Sequence, residues 1–347
     1  MAIARTNARK APGYDLISGK VLQELPMKAI LLLTTLYNSA LRLSYFPLLW
    51  KFAHIIMIPK PGKPVHGTAS YRPISLLPIP SKVFENILLK RLRSDVDLLA
   101  LIPHHQFGFR AGHCTTHQTH RIVHEIATGL EDKKLCTAVF FDVAQAFDKV
   151  WHTGLLCKLK STLPSPYFFL LKSYLSARYY QVRYNNSYSA CHEVLSGVPQ
   201  GSVLGPLLYQ LYTAELPTTD NNTIATFPND TGQFAAHTDS LIASQLLQHN
   251  LNILQVWLDK WKIKVQQAKS VHITFTTKRT LCPPVTLDNI QIPMQSEVKY
   301  LGLHLDQRLT WRTYIRTKRH HLDLQLRSTY WLLGRKSKLS FENKFLL

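Results

Sequence analysis

Residues 139–152, VFFDVAQAFDKVWH, constrain this fold more than any other stretch, because a single carboxylate interrupts an apolar, β-favouring run. Val139, Phe140, Phe141 and Val143 have the composition of a strand inside a sheet, and Asp142 stands where that strand ends. A lone carboxylate there carries a desolvation cost unless something positive compensates, and a divalent cation is the usual partner. A metal at Asp142 predicts a second acidic site, a basic set that handles phosphate and a surface for nucleic acid. Phosphoryl transfer with two metals needs carboxylates from separate segments, converging so that the ions sit about 3.5–4 Å apart. The hairpin predicted at 223–236 is where the partner carboxylates belong, since a tight turn presents successive residues; its tip reads FPND. Asp148 lies past the strand end and reads as a structural or capping acid.

Charge supports the nucleic-acid expectation. Lys and Arg number 41 against 21 Asp and Glu, a formal net charge of +20 spread along all 347 residues. Such a potential attracts polyanions, the phosphate backbone first among them, although a ribosome-associated or simply basic protein has the same balance. With 46% apolar and 18% charged residues the chain reads as folded, with room for one large or two to three modest domains. The five cysteines (Cys114, Cys136, Cys157, Cys191, Cys282) are scattered without a CxxC pair, which indicates neither a disulfide framework nor a zinc knuckle. His104, His105, His113, Cys114, His117, His120 and His124 cluster but follow no zinc spacing. The N-terminal residues lack the apolar core of a signal peptide. Residues 29–43 are interrupted by Thr34, Thr35, Asn38 and Ser39 and read as a packed helix, not a membrane span.

Periodicity predicts helices over 21–45, 81–99, 165–176, 203–216 and 240–263, and strands at 52–58, 271–276 and 298–305. The face expected inside the 81–99 helix carries Val83, Phe84, Ile87, Leu88 and Leu92. A basic helix is expected from about 309 onward, with Arg308, Arg312, Arg316 and Arg319 on one stripe.

Three segments together carry a resemblance: FFDVAQAFDKVWH within 139–152, GVPQGSVLGPLL at 197–208 and FPND at 227–230. Around them, in order, stand KAPGYD (10–15), IPKPGKP (58–64), SYRPISLL (70–77), QFGFR (106–110), WKIKVQQAKS (261–270) and VKYLGLHLD (298–306). The chain resembles reverse transcriptases of non-LTR retrotransposons, most closely the jockey type, in which a strand ending FLDxxKAFDxVWH precedes GVPQGSVLGPLL and a hairpin bearing FADD. The resemblance implies an α+β, right-hand polymerase with an antiparallel palm sheet: fingers with part of the palm over 1–135, palm over 136–306 and a truncated thumb over 307–347. It implies RNA-directed DNA synthesis from dNTPs on a DNA primer and an RNA template, with Mg²⁺ (or Mn²⁺) as cofactor. It further implies that the element's endonuclease lies outside this chain, that no membrane is involved, and that the location is nuclear, cytoplasmic or both rather than secreted.

Carried over residue by residue, the resemblance makes Asp142 the first metal-binding carboxylate, with the Val143 carbonyl nearby and Asp230 as a further ligand. Phe147 would lie under the incoming sugar and exclude a ribose 2′-OH. Gln200 and Gly201 would contact the template–nucleotide pair, and Lys60 and Arg72 the triphosphate. Lys269 takes the place of a lysine that protonates leaving pyrophosphate. Tyr300, Leu301 and Gly302 match a primer-gripping hairpin, and Arg308, Arg312 and Arg316 a thumb helix that tracks the duplex.

One departure stands out. Asn229 occupies the position of the first carboxylate of the family's Asp-Asp pair, and Pro228 that of a small residue. A neutral amide removes one full charge from a site for hard cations. Asp230 is not expected to replace it, because a shift of one residue along a strand turns the side chain to the opposite face. Gly232 and Gln233 also stand where small or apolar residues are usual, and QQAKS departs from its motif. The expectation is an impaired polymerase, the alternatives being a nucleic-acid-binding remnant without catalysis or a non-functional fragment of an element.

Overall fold

The computed structural model describes residues 3–345 except Lys63, Val65, Thr68, Ala69, Ala144, Asp220, Asn221 and Asn229. Helices α1 (Gly19–Gln23) and α2 (Met27–Arg42) come first, with Ser18 Oγ accepting the Val21 N–H as N-cap of α1. Strands β1 (Phe52–Pro59) and β2 (Tyr71–Leu76) pair antiparallel across the Pro/Gly/Lys-rich turn. Helix α3 (Ile79–Asp95) buries Val83, Phe84, Leu88 and Leu92, the apolar face that its periodicity predicts. Next come α4 (Leu98–Leu101), α5 (Thr115–Glu131), β3 (Leu135–Asp142), α6 (His152–Thr162) and α7 (Ser165–Leu175). Strands β4 (Tyr179–Tyr184), β5 (Ser187–Tyr188) and β6 (His192–Glu193) precede α8 (Gly205–Thr213). Then follow β7 (Thr223–Phe227), β8 (Asp230–His237), α9 (Ser240–Lys260), β9 (Val271–Phe275), β10 (Thr286–Leu287) and β11 (Ile290–Gln291). Strands β12 (Glu297–Tyr300) and β13 (Leu303–Asp306) and helices α10 (Arg312–Leu333) and α11 (Phe341–Phe345) complete the chain. Pro80, Pro166 and Pro206 lie in the first turns of α3, α7 and α8, where a missing N–H costs nothing.

Two sheets organise these elements. The antiparallel sheet β7-β8-β3-β9 places β3 in the middle, and the strand is buried along its whole length except at Asp142. Side chains alternate between its faces. Ala138 and Phe140 join Ile122 and Ile126 of α5, Phe234, Ile273 and Tyr300, whereas Val139 and Phe141 join Leu247, Leu251, Leu254 and Leu258 of α9. Cover on both faces is why residues 138–141 read as an unbroken apolar run.

The second sheet has the order β2-β1-β4-β5, with β6 also on β4 and with β1 and β4 parallel. Strands β4–β6 lie well after residue 135, so a boundary at 135/136 does not separate the two sheets. A third core is formed mainly by α2, α3, α6, α7 and α8. The segment 298–305 is a hairpin rather than one strand, because Leu301 and Gly302 turn the chain at φ +46° and +89°. Among the described residues, no helix is long and apolar enough to cross a membrane.

Candidate active site

The site starts from strand register. Asp142 is the last residue of β3 and Asp230 the first of β8, and the antiparallel ladder sets them directly opposite each other. Cross-strand partners project from one face, with Cβ atoms about 4.5–5.5 Å apart. The two carboxylates therefore stand side by side at the open end of the sheet. The facing of Asp230 is set by its pairing with β3. Asn229 itself lies outside the described residues.

Desolvation, and after it the charge of Asp142, raise the Asp230 pKa above the usual carboxylate value. On the other side of β3, the Gln266 N–H donates to the Asp142 carbonyl (3.2 Å) and Val143 bridges Val265. Carbonyls alternate along an extended strand, so the Val143 carbonyl points the opposite way, toward β8. The same docking brings Lys269 Nζ to 4.0 Å from Asp142 Oδ2, with both side chains roughly half exposed. An ion pair so open adds little stability.

Two carboxylates and a main-chain carbonyl are hard oxygen donors, and their mutual repulsion is what a divalent cation relieves, so this set fits Mg²⁺ or Mn²⁺. Among the described residues, no group of three or more His, Cys, Asp or Glu is placed to hold a metal, the histidines of 104–124 included. Proton and cation compete for Asp230. Its raised pKa means that the folded state holds the proton more tightly than the unfolded chain does. That contribution to stability is complete below the unfolded pKa and lost as pH rises through the folded one. We expect Mn²⁺ affinity to fall as pH drops from about 8 toward 4, with the step removed in Asp230→Asn. Electron paramagnetic resonance of free Mn²⁺ reads this directly, and a wild-type profile matching that of Asp230→Asn would exclude Asp230 as a ligand.

Phe147 reaches the site through Tyr209, whose hydroxyl feels the charge of Asp142. Its ring stacks on Tyr209 (centroids 4.9 Å apart, 22° between planes) and meets Phe109 edge-on at 5.7 Å. The segment 147–150 also carries the next loop. Val198 N–H donates to the Phe147 carbonyl (2.7 Å) and Gly197 N–H to the Val150 carbonyl (2.8 Å). His152 Nε2 lies 2.7 Å from the Gly197 carbonyl. Burial pushes the His152 pKa down, which favours a neutral ring with its Nε2–H donating to that carbonyl. Gly201 has φ +125°, and a Cβ there would stand 2.6 Å from the Ser75 carbonyl, so the turn requires glycine. Ser75 N–H in turn donates to the Gln200 carbonyl (2.8 Å), tying the loop to β2.

Arg72 is exposed on β2 opposite Ile58, and the Lys60 N–H bonds the Ser70 carbonyl at 2.7 Å. Burial raises the Asp148 carboxyl pKa and the Lys60 charge lowers it, which puts this lysine on the side of the 147–150 turn. Asp148 offers its carbonyl to Ser196 Oγ (3.2 Å).

Two expectations need correction. Tyr300 is 3% exposed and packs on Phe140 at 5.0 Å, so its ring belongs to the core; of the three hairpin positions only the Leu301–Gly302 turn reaches the surface. Arg308 is not on the helical stripe. Positive φ at Leu309 and Trp311 breaks the helix before Arg312, and the Asp306 carboxylate collects the N–H groups of Arg308, Thr310 and Trp311 instead. Arg312, Arg316 and Arg319 are exposed on α10.

Other functional positions escaped sequence reasoning. His152 and the buried Glu85 act on backbone atoms, so no side-chain spacing signals them. Gly108 accommodates Pro228, since a Cβ at 108 would lie 1.9 Å from the proline Cδ. Phe107 N–H and the Thr226 N–H bond across to Thr226 and His105 carbonyls, fastening the 105–108 segment to the hairpin.

Residues 58–305 match the family model for reverse transcriptase (RNA-dependent DNA polymerase). The chain is 44% identical over 350 residues to a probable RNA-directed DNA polymerase from transposon X-element of Drosophila melanogaster, covering 99% of this chain and 38% of that protein. It is 39% identical to an RNA-directed DNA polymerase from mobile element jockey of Drosophila funebris, again over 99% of this chain and 38% of the relative. The chain thus spans under two fifths of the length of these relatives. Among solved structures it resembles a telomerase of Candida tropicalis in complex with a TWJ fragment of telomeric RNA. The TM-score is 0.53 at 13% identity, over 85% of this chain and 48% of that one, a likeness of fold alone.

Proposed function

The chain belongs to the reverse transcriptase (RNA-dependent DNA polymerase) family, and from that premise we propose that it is the polymerase region of a non-LTR retrotransposon protein, adding dNTPs to a DNA primer 3′-OH along an RNA template. The observation that carries this reading is the register of Asp142 against Asp230, with Lys269 beside Asp142. Asp142, Asp230 and the Val143 carbonyl would hold Mg²⁺, or Mn²⁺ in its place, which activates the primer hydroxyl and neutralises phosphate charge when bound. Lys269 supplies the proton for departing pyrophosphate. Lys60 and Arg72 hold the triphosphate, while Gln200 and Gly201 support the template–nucleotide pair. Arg312 and Arg316 track the duplex backbone, with Arg308 at the foot of α10. The β2-β1-β4-β5 sheet acts as fingers, the β3 sheet as palm and α10 as the start of a thumb, at work in the nucleus, the cytoplasm or both.

Asn229 favours a second reading, duplex binding without synthesis. Binding of an RNA–DNA template–primer, titrated with salt, tests both. Affinity that falls steeply with salt is expected for either reading, and dNTP addition that Asp142→Asn abolishes belongs to the first alone. Absence of template–primer binding would overturn both. Phe147 gives a separate check. With Phe147→Val, discrimination against ribonucleotides is expected to drop about tenfold or more, because the ring that crowds a 2′-OH is gone. Single-nucleotide incorporation from dNTP and rNTP measures it, and an unchanged ratio would assign Phe147 to packing only.

A further inference from the structure

We propose that Glu85 is the positioning residue that sets the nucleotide-facing loop 197–204 from behind. Glu85 lies on α3, wholly buried, and reaches across to the start of α8. Its Oε2 accepts two backbone N–H groups at once, from Val203 (2.7 Å) and Leu204 (3.0 Å). Its Oε1 accepts Ser81 Oγ at 3.3 Å.

These N–H groups open α8 and have no partner within that helix, and the helix dipole adds positive potential there. No acidic residue occupies the first turn of α8, and the Leu204 side chain makes no cap. The local sequence contributes only Ser202 Oγ, which takes the Gly205 N–H at 2.9 Å. An acceptor from another element is therefore needed, and an anion that takes both N–H groups suits the position better than a neutral oxygen.

The loop is thereby fixed at both ends. His152 and the 147–150 turn hold Gly197 and Val198, Glu85 holds Val203 and Leu204, and Gln200 and Gly201 are suspended between them against Ser75. Because Glu85 stands on a different element from every other anchor, it transmits the placement of α3 to Gln200. Burial raises its pKa, while the Leu204 N–H, the charge of Arg178, the Val203 N–H and Ser81 pull it down. Arg178 is 2% exposed and is itself held by the Tyr174 carbonyl at 3.0 Å.

The proposal rests on the polymerase reading only for what the loop touches, so its deciding readout needs no synthesis. Glu85→Met fills the space but leaves two buried N–H groups unpaired, whereas Glu85→Gln keeps an acceptor oxygen for both. Amide hydrogen exchange of the full chain is expected to quicken about tenfold or more in the segment that ends at Leu204 for Glu85→Met. Exchange in the β3 sheet should stay unchanged, and Glu85→Gln should restore most of the protection. Ser81→Ala, which removes only the Oε1 bond, should leave the segment protected. With bound template–primer, dATP affinity should fall in Glu85→Met and recover in Glu85→Gln, while duplex affinity holds. Unchanged exchange in the segment, or faster exchange spread evenly over the molecule, would overturn the role assigned to Glu85. A wild-type chain that binds no dATP would instead count against the polymerase reading, leaving the exchange result to decide Glu85.

Discussion

Replacing Asn229 by Asp is expected to raise RNA-templated primer extension by about 10²–10³-fold, the usual size of one transition-state electrostatic contact. The register of β3 on β8 already supplies two carboxylates on one face, Asp142 and Asp230. Burial first, and the charge of Asp142 after it, raise the Asp230 pKa. What the family pattern adds at 229 is a third negative ligand, and an amide oxygen there lowers the charge available to two hard cations by one unit. Primer extension with Mg²⁺, and separately with Mn²⁺, compares the chain with Asn229→Asp. Equal synthesis by both would show that Asn229 is no impediment. Activity only in the reverted form would show an intact scaffold with one broken ligand. Silence from both, with duplex binding retained, would favour the reading as a binding remnant.

Gln233→Met is expected to stabilise the protein by about 2–4 kcal/mol, a gain of roughly 5 °C or more in Tm. Gln233 is fully buried, and neither its Oε1 nor its Nε2 has a hydrogen-bond partner. It pairs with Val139 on β3 and Ile224 on β7, and so lies on the face where Val139, Phe141 and Ala235 meet Leu247, Leu251 and Leu254 of α9. Each unpaired amide atom in such a place costs about 1–3 kcal/mol, and methionine keeps a similar volume without the polar atoms. The residue stands out in sequence as polar within a strand pattern; only the packing of α9 shows that it is sealed from water. Thermal and urea unfolding measure the change, and an unshifted midpoint would mean that the amide is satisfied by water.

Much of the scaffold was legible because it depends on local pattern. The run 139–142 became the end of the central strand, the 223–236 segment a hairpin, and the apolar spacing of α3 its buried face. Gly201 stood out only through the family motif, whereas its close approach to the Ser75 carbonyl on β2 comes from the packing of the loop. Less was legible wherever a partner came from elsewhere in the fold. Arg308 fits a helical stripe by spacing, yet Asp306 captures the backbone there and delays the helix to Arg312. Tyr300 sits in a surface-like motif, yet strand alternation turns its ring onto Phe140.

By itself, then, the sequence determined part of the elements, among them α2, α3, α7, α8, α9, β1, β9 and the 223–236 hairpin, with the carboxylate at a strand end and the family motifs in order, because each follows from spacing along one stretch of chain, whereas β2, α5, α6 and β4 went unread. Only the tertiary structure decided that Asp230 faces Asp142, that Lys269 lies beside Asp142, and that Glu85 and His152 hold the ends of the 197–204 loop. The physical reason is the same in each case. Strand register and bonds to backbone N–H and carbonyl groups depend on which distant segments pack together, and backbone groups are alike at every position, so they leave no mark on the order of side chains.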